Sequence, residues 1–311
     1  MKTRIAEIIK NHQTFEIITH ENPDEDAVGS SRALGFALAG LGKSVCLVYP
    51  TPVPETFVIT GSPENTAPAG ALPEISLLVD VSDMAMLKGV NPRGEIVVVD
   101  HHKTQNIESM VTWIDPEKSS ASEMVYELIQ ALGMTVTPDM AANLFMGLFG
   151  DTGGFMHANT NPEVFRLAFE LTSAGADPHF IAYRLKKSRP FVFFQILCRV
   201  MNRMERVDGV FGSYITFDEF RKIQAEPEDA SGIVEEMTSI ASSVLVIFMR
   251  EVKPGIVHGS VRSKIDHAAL NTAVAFGGGG HGRAAGFTIA GKPEDLFPKV
   301  FKEGLRWVRT E

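Results

Sequence analysis

Acidic and histidine residues fall in four tight groups along this 311-residue chain. The groups are His20, Asp24 and Asp26; Asp80 and Asp83; Asp100, His101 and His102; and Asp151, inside Gly147-Leu148-Phe149-Gly150-Asp151-Thr152-Gly153-Gly154. They offer oxygen and imidazole donors without thiolate, a set that suits Mn²⁺, Mg²⁺ or Co²⁺ better than structural zinc. With His20, Asp24, Asp26, Asp80, His101 and Asp151 as ligands, four carboxylates would face two divalent cations and the charges would cancel. Two such ions ~3.5–4 Å apart can share a hydroxide and clamp a phosphoryl group for in-line attack. Metal binding lowers the pKa of water from about 16 toward about 7, so hydroxide exists at neutral pH. The chemistry to expect is hydrolysis of a phosphate ester.

Such residues need a scaffold that makes them converge. Phe15–Thr19, Ser44–Val48, Ile75–Val79 and Glu95–Val99 are short, apolar and rich in β-branched residues, which reads as four strands. Ala27–Leu41 reads as a helix between two of them, closed by Gly42. This alternation predicts an α/β fold with a mainly parallel sheet flanked by helices. Three of the four strands end in the acid and histidine groups, and ligands bind at the carboxyl ends of parallel strands. One Asp after a strand is often only a helix cap; three such groups at three strand ends require a common cause. Asp151 falls at a helix C-terminus, where the dipole disfavours negative charge unless a cation compensates.

Helices then dominate from Ser120 to about Arg206, with Thr137-Pro138 and Asn161-Pro162 as capping starts. A second rhythm follows: a strand over Val210–Phe217, a helix over Asp229–Ile240, and a strand pair, Ser243–Glu251 and Ile256–Ser263, around Lys253-Pro254-Gly255. A helix over Asp266–Phe276, a glycine run, a strand over Ala285–Ala290 and an amphipathic helix complete it. The division expected is residues 1–189, a helical linker over 190–206, and a smaller α/β domain over 207–311, with the active-site cleft between the domains. In the second domain Gly278, Gly279 and Gly280 would let backbone N–H groups approach a phosphate. His281, Arg283 and Arg262 strengthen an anion-binding reading, since a guanidinium grips phosphate through two parallel bonds.

A net charge of −9 argues against coating long nucleic acid but allows a short phosphorylated substrate in a local basic pocket. Basic residues concentrate in Arg184-Leu185-Lys186-Lys187-Ser188-Arg189 with Arg199, Arg203 and Arg206, read as a solvated helix face before an RNA-contacting one. Cys46 and Cys198 read as buried small apolar side chains, and Trp113 and Trp307 as packing residues. Among the remaining histidines, His157 stands closest to the Asp151 group. Met1–Lys10 lacks the apolar core of a signal peptide, and no run approaches the ~20 residues that span a bilayer. A cytoplasmic protein with no membrane partner is expected.

The runs His20-Glu21-Asn22-Pro23-Asp24-Glu25-Asp26-Ala27, Asp80-Val81-Ser82-Asp83, Asp100-His101-His102 and Gly150-Asp151-Thr152-Gly153 resemble the four ordered motifs of the DHH phosphoesterase superfamily. Gly277-Gly278-Gly279-Gly280-His281 followed by Ala284-Ala285-Gly286-Phe287 resembles the signature of the DHH-associated C-terminal domain, so the likeness spans the chain. The compact two-domain form is similar to bacterial nanoRNase/pAp phosphatases, Mn²⁺-dependent enzymes acting on very short RNA and on adenosine 3′,5′-bisphosphate. The resemblance implies that His20 and Asp24 hold one ion, that Asp26, His101 and Asp151 hold the other, and that Asp80 bridges. It implies that His102 faces the scissile phosphate and Asp100 orients a histidine, with Asp83 also supporting from behind the ligands. A homodimer is compatible with it. Glu25 stands where glycine is frequent and Gly150 where threonine is frequent, which bears on substrate preference. Two other readings stay open: a cyclic-dinucleotide or pApA phosphodiesterase of the same architecture, and a non-catalytic nucleotide- or RNA-binding module.

Overall fold

The computed structural model describes residues 1–63, 72–103, 106–187 and 189–309. The chain forms two compact units, Met1–Ser188 and Arg189–Glu311.

The first unit runs α1 (Lys2–Asn11), β1 (Thr14–Ile18), α2 (Glu25–Gly40), β2 (Ser44–Val48), β3 (Ile75–Val79), β4 (Glu95–Asp100) and β5 (Val111–Ile114). Helices α3 (Ala121–Ala131), α4 (Pro138–Asp151), α5 (Pro162–Ser173) and α6 (Pro178–Lys187) follow. Its five strands pair in parallel in the order β2-β1-β3-β4-β5. Ile75–Val79 is buried along its whole length, as a strand covered on both faces must be. β1 has β2 on one side and β3 on the other, so the winding reverses beside β1, and the crevice at such a reversal is where open α/β sheets bind ligands. β5 is a fifth strand beyond the four read from sequence.

Helix α2 is buried on nearly every side and packs against α4. Two glycines make that closeness possible: a Cβ on Gly29 would lie 2.3 Å from the Asn143 carbonyl oxygen, and one on Gly147 would lie 2.0 Å from Ser122 Oγ. Asp24 caps α2 by accepting from the Asp26 and Ala27 amides at 3.0 and 2.9 Å. Thr137 and Asn161 cap α4 and α5, each ahead of a proline at the first helical position.

The second unit runs α7 (Phe191–Asn202), β6 (Glu205–Val207), β7 (Val210–Ile215), α8 (Phe217–Lys222), α9 (Ile233–Thr238), β8 (Leu245–Lys253) and β9 (Ile256–Ser263). It continues through α10 (Ala268–Val274), β10 (Gly279–His281), β11 (Ala284–Ala290) and α11 (Pro293–Arg309). Its six strands lie in the order β10-β11-β9-β8-β7-β6, and only β7 and β8 run parallel. One face packs Val210, Leu245, Ile247, Val257 and Val261 against α10 and α11; Val246 and Phe248 face Phe193, Ile196 and Val200 of α7.

Four local expectations are corrected. The strand expected to reach Phe217 stops at Ile215, because Thr216 and Glu219 form a reciprocal capping box that starts α8. The helix expected over Asp229–Ile240 breaks into a 3₁₀ turn at Pro227–Ala230 and α9, with Gly232 between them at φ +89°. Glu205–Val207 is an edge strand, not the end of a helix. Cys198 is exposed rather than buried, and Cys46 is half-buried. Ser188, within the basic run, lies outside the described residues.

Candidate metal centre

β1 delivers His20, the cap of α2 delivers Asp24, and the first turn of α2 delivers Asp26. β3 delivers Asp80, β4 ends on Asp100 with His101 and His102 beyond it, and α4 ends on Asp151. His20 Nε2 lies 3.7 Å from Asp24 Oδ1 and 3.5 Å from Asp80 Oδ2. His101 Nε2 lies 3.1 Å from Asp151 Oδ2, 3.6 Å from Asp80 Oδ1 and 4.0 Å from Asp26 Oδ2. The donors fall into the sets His20-Asp24-Asp80 and Asp26-His101-Asp151, with a third group, Asp80-Asp100-His101-His102, overlapping both; Asp80 Oδ2 faces His20, and Oδ1 faces His101 and His102.

These separations fit cations. Two ligands each ~2.1 Å from one ion stand roughly 3.0–4.2 Å apart, whereas a direct N–H···O bond is about 2.7–3.2 Å; the His101–Asp151 distance of 3.1 Å fits either, and the others fit only the first. Asp80 Oδ1 is buried without a hydrogen-bond partner, a costly state for a carboxylate oxygen unless an ion satisfies it. Asp80 also sits at φ +61°, a left-handed conformation that Asp tolerates better than most residues but seldom adopts. Its amide donates to the Val99 carbonyl at 3.0 Å, which ties the turn after β3 to the neighbouring strand.

The supporting bonds set each ligand's direction. His20 Nδ1 donates to the Glu21 carbonyl at 2.8 Å, leaving Nε2 as the lone pair that faces the carboxylates. Asp26 is fully buried and accepts from the Ala121 and Ser122 amides at 2.6 and 2.9 Å, at the start of α3. The positive end of α3 therefore stabilises this carboxylate. His102 donates from Nδ1 to Asp100 Oδ1 at 2.8 Å and is half exposed, so Asp100 orients His102 rather than His101. Asp151 is held through its backbone: His157 Nδ1 and Asn159 Nδ2 donate to its carbonyl at 3.0 and 3.2 Å. Asn159 also reaches the Ser119 carbonyl beside α3, at 3.0 Å.

Without cations the cage holds protons. Burial disfavours a charged His20, but the carboxylates of Asp24 and Asp80 beside its Nε2 outweigh it and raise its pKa from 6.5 to about 11. Burial likewise opposes a charged His101, and Asp151, Asp26 and Asp80 lift it to about 10. Asp26 is pushed well above the usual carboxylate range by burial, then by the charges of Asp151 and Asp80. Asp80 is raised by burial, with Asp24 and Asp151 adding to the effect. Asp24, with its side chain half exposed, is held below its ordinary value by the neighbouring His20 and by the bond it accepts from the Ala27 amide, which outweigh its partial desolvation.

The structure thus brings together His20, Asp24, Asp26, Asp80, Asp100, His101, His102 and Asp151. It does not bring in Asp83. Both of its oxygens are committed away from the ligands, one to the Ala85 amide at 2.7 Å and the other to Asn106 Nδ2 at 2.7 Å. Sequence reading missed Ser122, whose hydroxyl is buried without a partner. A Cβ on Gly147 would meet both that hydroxyl, at 2.0 Å, and Asp26 Oδ1, at 2.6 Å. Nothing local to Ser122 in sequence signals this; only packing of α3 on α4 reveals it.

The remaining predicted residues lie in the second unit. Arg262 on β9 and His281 on β10 both sit opposite Ala284 of β11, so the three share one row and one face of the sheet. The next row is Ser260, Gly286 and Gly279, which leaves a low floor beside the basic side chains. Arg262 is paired with Glu235 at 2.9 Å and Arg283 with Asp266 at 2.7 Å. The glycine run forms the edge strand β10, and a Cβ on Gly278 would lie 2.1 Å from the Gly286 carbonyl oxygen. At least that glycine is required for strand packing.

The DHH family N-terminal domain matches residues 14–148, and the DHHA1 domain matches residues 208–310. A bifunctional oligoribonuclease and PAP phosphatase of Thermus thermophilus is 33% identical over 99% of this chain and 93% of its own length. The protein of the same description in Bacillus subtilis is 26% identical over 93% of each chain. In fold, the chain is similar to an exopolyphosphatase-related protein from Bacteroides fragilis, with a TM-score of 0.90 at 23% identity, covering 98% of this chain and 95% of that one. The cage at the strand ends therefore has its family: the chain belongs to the DHH family, carries a DHHA1 domain behind it, and is a phosphoesterase.

Proposed function

We propose that this phosphoesterase hydrolyses short oligoribonucleotides and adenosine 3′,5′-bisphosphate, with two divalent ions, Mn²⁺ foremost, at the cage. The observation that carries the reading is Asp80, whose two oxygens serve two separate donor sets and one of which is buried and unpartnered. His20, Asp24 and Asp80 would hold one ion, and Asp26, His101, Asp151 and the second Asp80 oxygen the other. Bound there, the pair supplies Lewis-acid charge to the phosphate and acidifies water at neutral pH. The substrate class follows the 33% identical relative, described as an oligoribonuclease and PAP phosphatase, which aligns along nearly its whole length.

The chain's own residues do the positioning. His102, half exposed and oriented by Asp100, donates a hydrogen bond to the non-bridging oxygens of the phosphate under attack. Its pKa is raised, first by the bond it donates to Asp100, which favours the charged imidazole where negative charge grows. Burial of Asp26 and Asp80 keeps bulk water from solvating the carboxylates that hold the ions. The second unit is the substrate-binding part: Arg262 and His281 flank the Ala284 row, Arg283 adds charge at the strand end, and Gly279 and Gly280 line the exposed edge strand. Arg262 must exchange Glu235 for a phosphate.

A hydrolysis panel tests this: adenosine 3′,5′-bisphosphate, RNA dimers to pentamers, pApA, cyclic di-AMP and pyrophosphate, each with Mn²⁺. Release of 5′-mononucleotides from the RNA and of phosphate from the bisphosphate is expected. Exclusive turnover of pApA or cyclic di-AMP would replace the reading. Arg262→Ala should raise KM about ten-fold without changing metal content; loss of metal instead would sink the assignment of a separate binding unit.

A further inference from the structure

Helix α6 and the segment after β2 enclose a groove of about 370 Å³ lined by Glu55, Thr56, Phe180, Tyr183 and Arg184. Two aromatic rings face solvent there, Phe180 at 44% and Tyr183 at 58% exposure. Exposed aromatics of this size on a helix that already has a buried face, anchored by Ile181, are not needed for packing. The His179 ring lies 6.1 Å from that of Tyr183, which extends the flat surface. Arg184 fixes the groove wall by donating to the Thr56 carbonyl at 3.1 Å and the Glu55 carbonyl at 2.7 Å.

The groove stands on the metal side of the sheet. Glu55 and Thr56 follow β2 at the strand end where β1 delivers His20, and Thr51 in that segment accepts from the Asn22 amide at 2.6 Å. Along α6 the side chains turn from aromatic to basic, with Arg184, Lys186 and Lys187 in its last turn. Lys186 lies over the Phe149 ring at 5.9 Å, two residues before Asp151, and within electrostatic range of Glu25, between Asp24 and Asp26. From Tyr183 to Lys186 the helix rises only ~4.5 Å. An aromatic platform therefore leads through cationic side chains to the phosphate-hydrolysing site. In a chain of net charge −9, that placement is selective.

We infer that the α6 groove seats a nucleobase of an oligonucleotide whose scissile phosphate lies at the metal centre, with Tyr183 and Phe180 stacking the base and Lys186 meeting the intervening backbone phosphate. This rests on the substrate class proposed above. Stacking on aromatic rings beside a basic track is how single strands are held without sequence preference. Glu55 adds an acceptor for an exocyclic amino group. The groove gives the enzyme a reason to treat oligomers and the bisphosphate differently, since only an oligomer has a further nucleotide, beyond the scissile phosphate and an intervening one, to place in it.

The test uses the full chain and its Tyr183→Ala, Tyr183→Phe and Lys186→Ala variants. Anisotropy of a dye-labelled, hydrolysis-resistant phosphorothioate adenosine pentanucleotide, measured on the Mn²⁺-loaded protein, should weaken about ten-fold for Tyr183→Ala and for Lys186→Ala, and remain unchanged for Tyr183→Phe. With Mn²⁺, KM for the pentamer should rise in step while kinetics on adenosine 3′,5′-bisphosphate stay at wild-type values. Equal losses on both substrates, or unchanged pentamer binding in Tyr183→Ala, would overturn the groove and leave the phosphoesterase reading intact. A wild-type protein that neither binds nor cleaves the pentamer would overturn both.

Discussion

The clearest chemistry at the scale of single residues is competition between protons and cations. His20 and His101, with pKa values raised to about 11 and about 10 by the surrounding carboxylates, hold protons at neutral pH that a metal ion must displace. Metal needs the Nε2 lone pairs, so the metal-free state binds more protons than a loaded one would, and metal affinity should rise with pH up to about 11. Calorimetric titration with Mn²⁺ at pH 7.5 in buffers of different ionisation enthalpy should show net proton release; a buffer-independent heat would contradict the donor assignment. Stability of the metal-free protein runs the other way. Both histidines are raised above their unfolded value of 6.5, so their contribution is fully present below pH 6.5 and is lost as pH climbs through 10 and 11. A chelated sample should melt at its highest temperature in mild acid and a loaded one nearer neutrality. Which acid of a motif is a ligand was only partly legible at this scale. Asp80 and Asp83 look alike in sequence, and only the left-handed turn at Asp80 sends one inward while Asp83 caps the next turn.

At the scale of elements, the site depends on how closely α2, α3 and α4 approach. Gly147→Ala places a methyl group 2.0 Å from Ser122 Oγ and 2.6 Å from Asp26 Oδ1. It is expected to cost about 1–3 kcal/mol of stability and to weaken metal binding, read by denaturant unfolding and metal content. Adding Ser122→Gly should restore part of both, because the nearer obstacle is then gone. Equal damage in the single and double variants would mean the helix spacing, not Asp26, is at fault. The strands β1 to β4 were readable as short continuous apolar runs rich in β-branched residues, and α2 as a longer apolar run closed by Gly42. β5 has only four residues, β6 buries none, and the six-residue α8 was hidden behind the apolar run that ends β7. Short elements carry too few side chains for a period to register.

At the scale of the molecule, the proposed cations at the strand ends would help to hold the first unit together. Asp26, Asp80 and Asp151 reach His101 from three different elements, and uncompensated carboxylates there repel. Chelation should lower the melting temperature by several degrees and Mn²⁺ restore it, since a ligand at 100-fold its Kd stabilises by about 2.7 kcal/mol. An unshifted melting curve would exclude the cage as a metal site. Among the described residues no helix is long and apolar enough to cross a membrane.

The left-handed backbone at Asp80 has a consequence for drift. Holding a residue with a side chain at φ +61° works against folding, by about 1 kcal/mol in comparable positions, and only the carboxylate justifies it. A lineage released from catalysis would gain by exchanging Asp80 for glycine, which adopts that conformation freely. Glycine at this one position, in an otherwise intact copy of the chain, would mark a descendant that has kept the fold and abandoned the reaction.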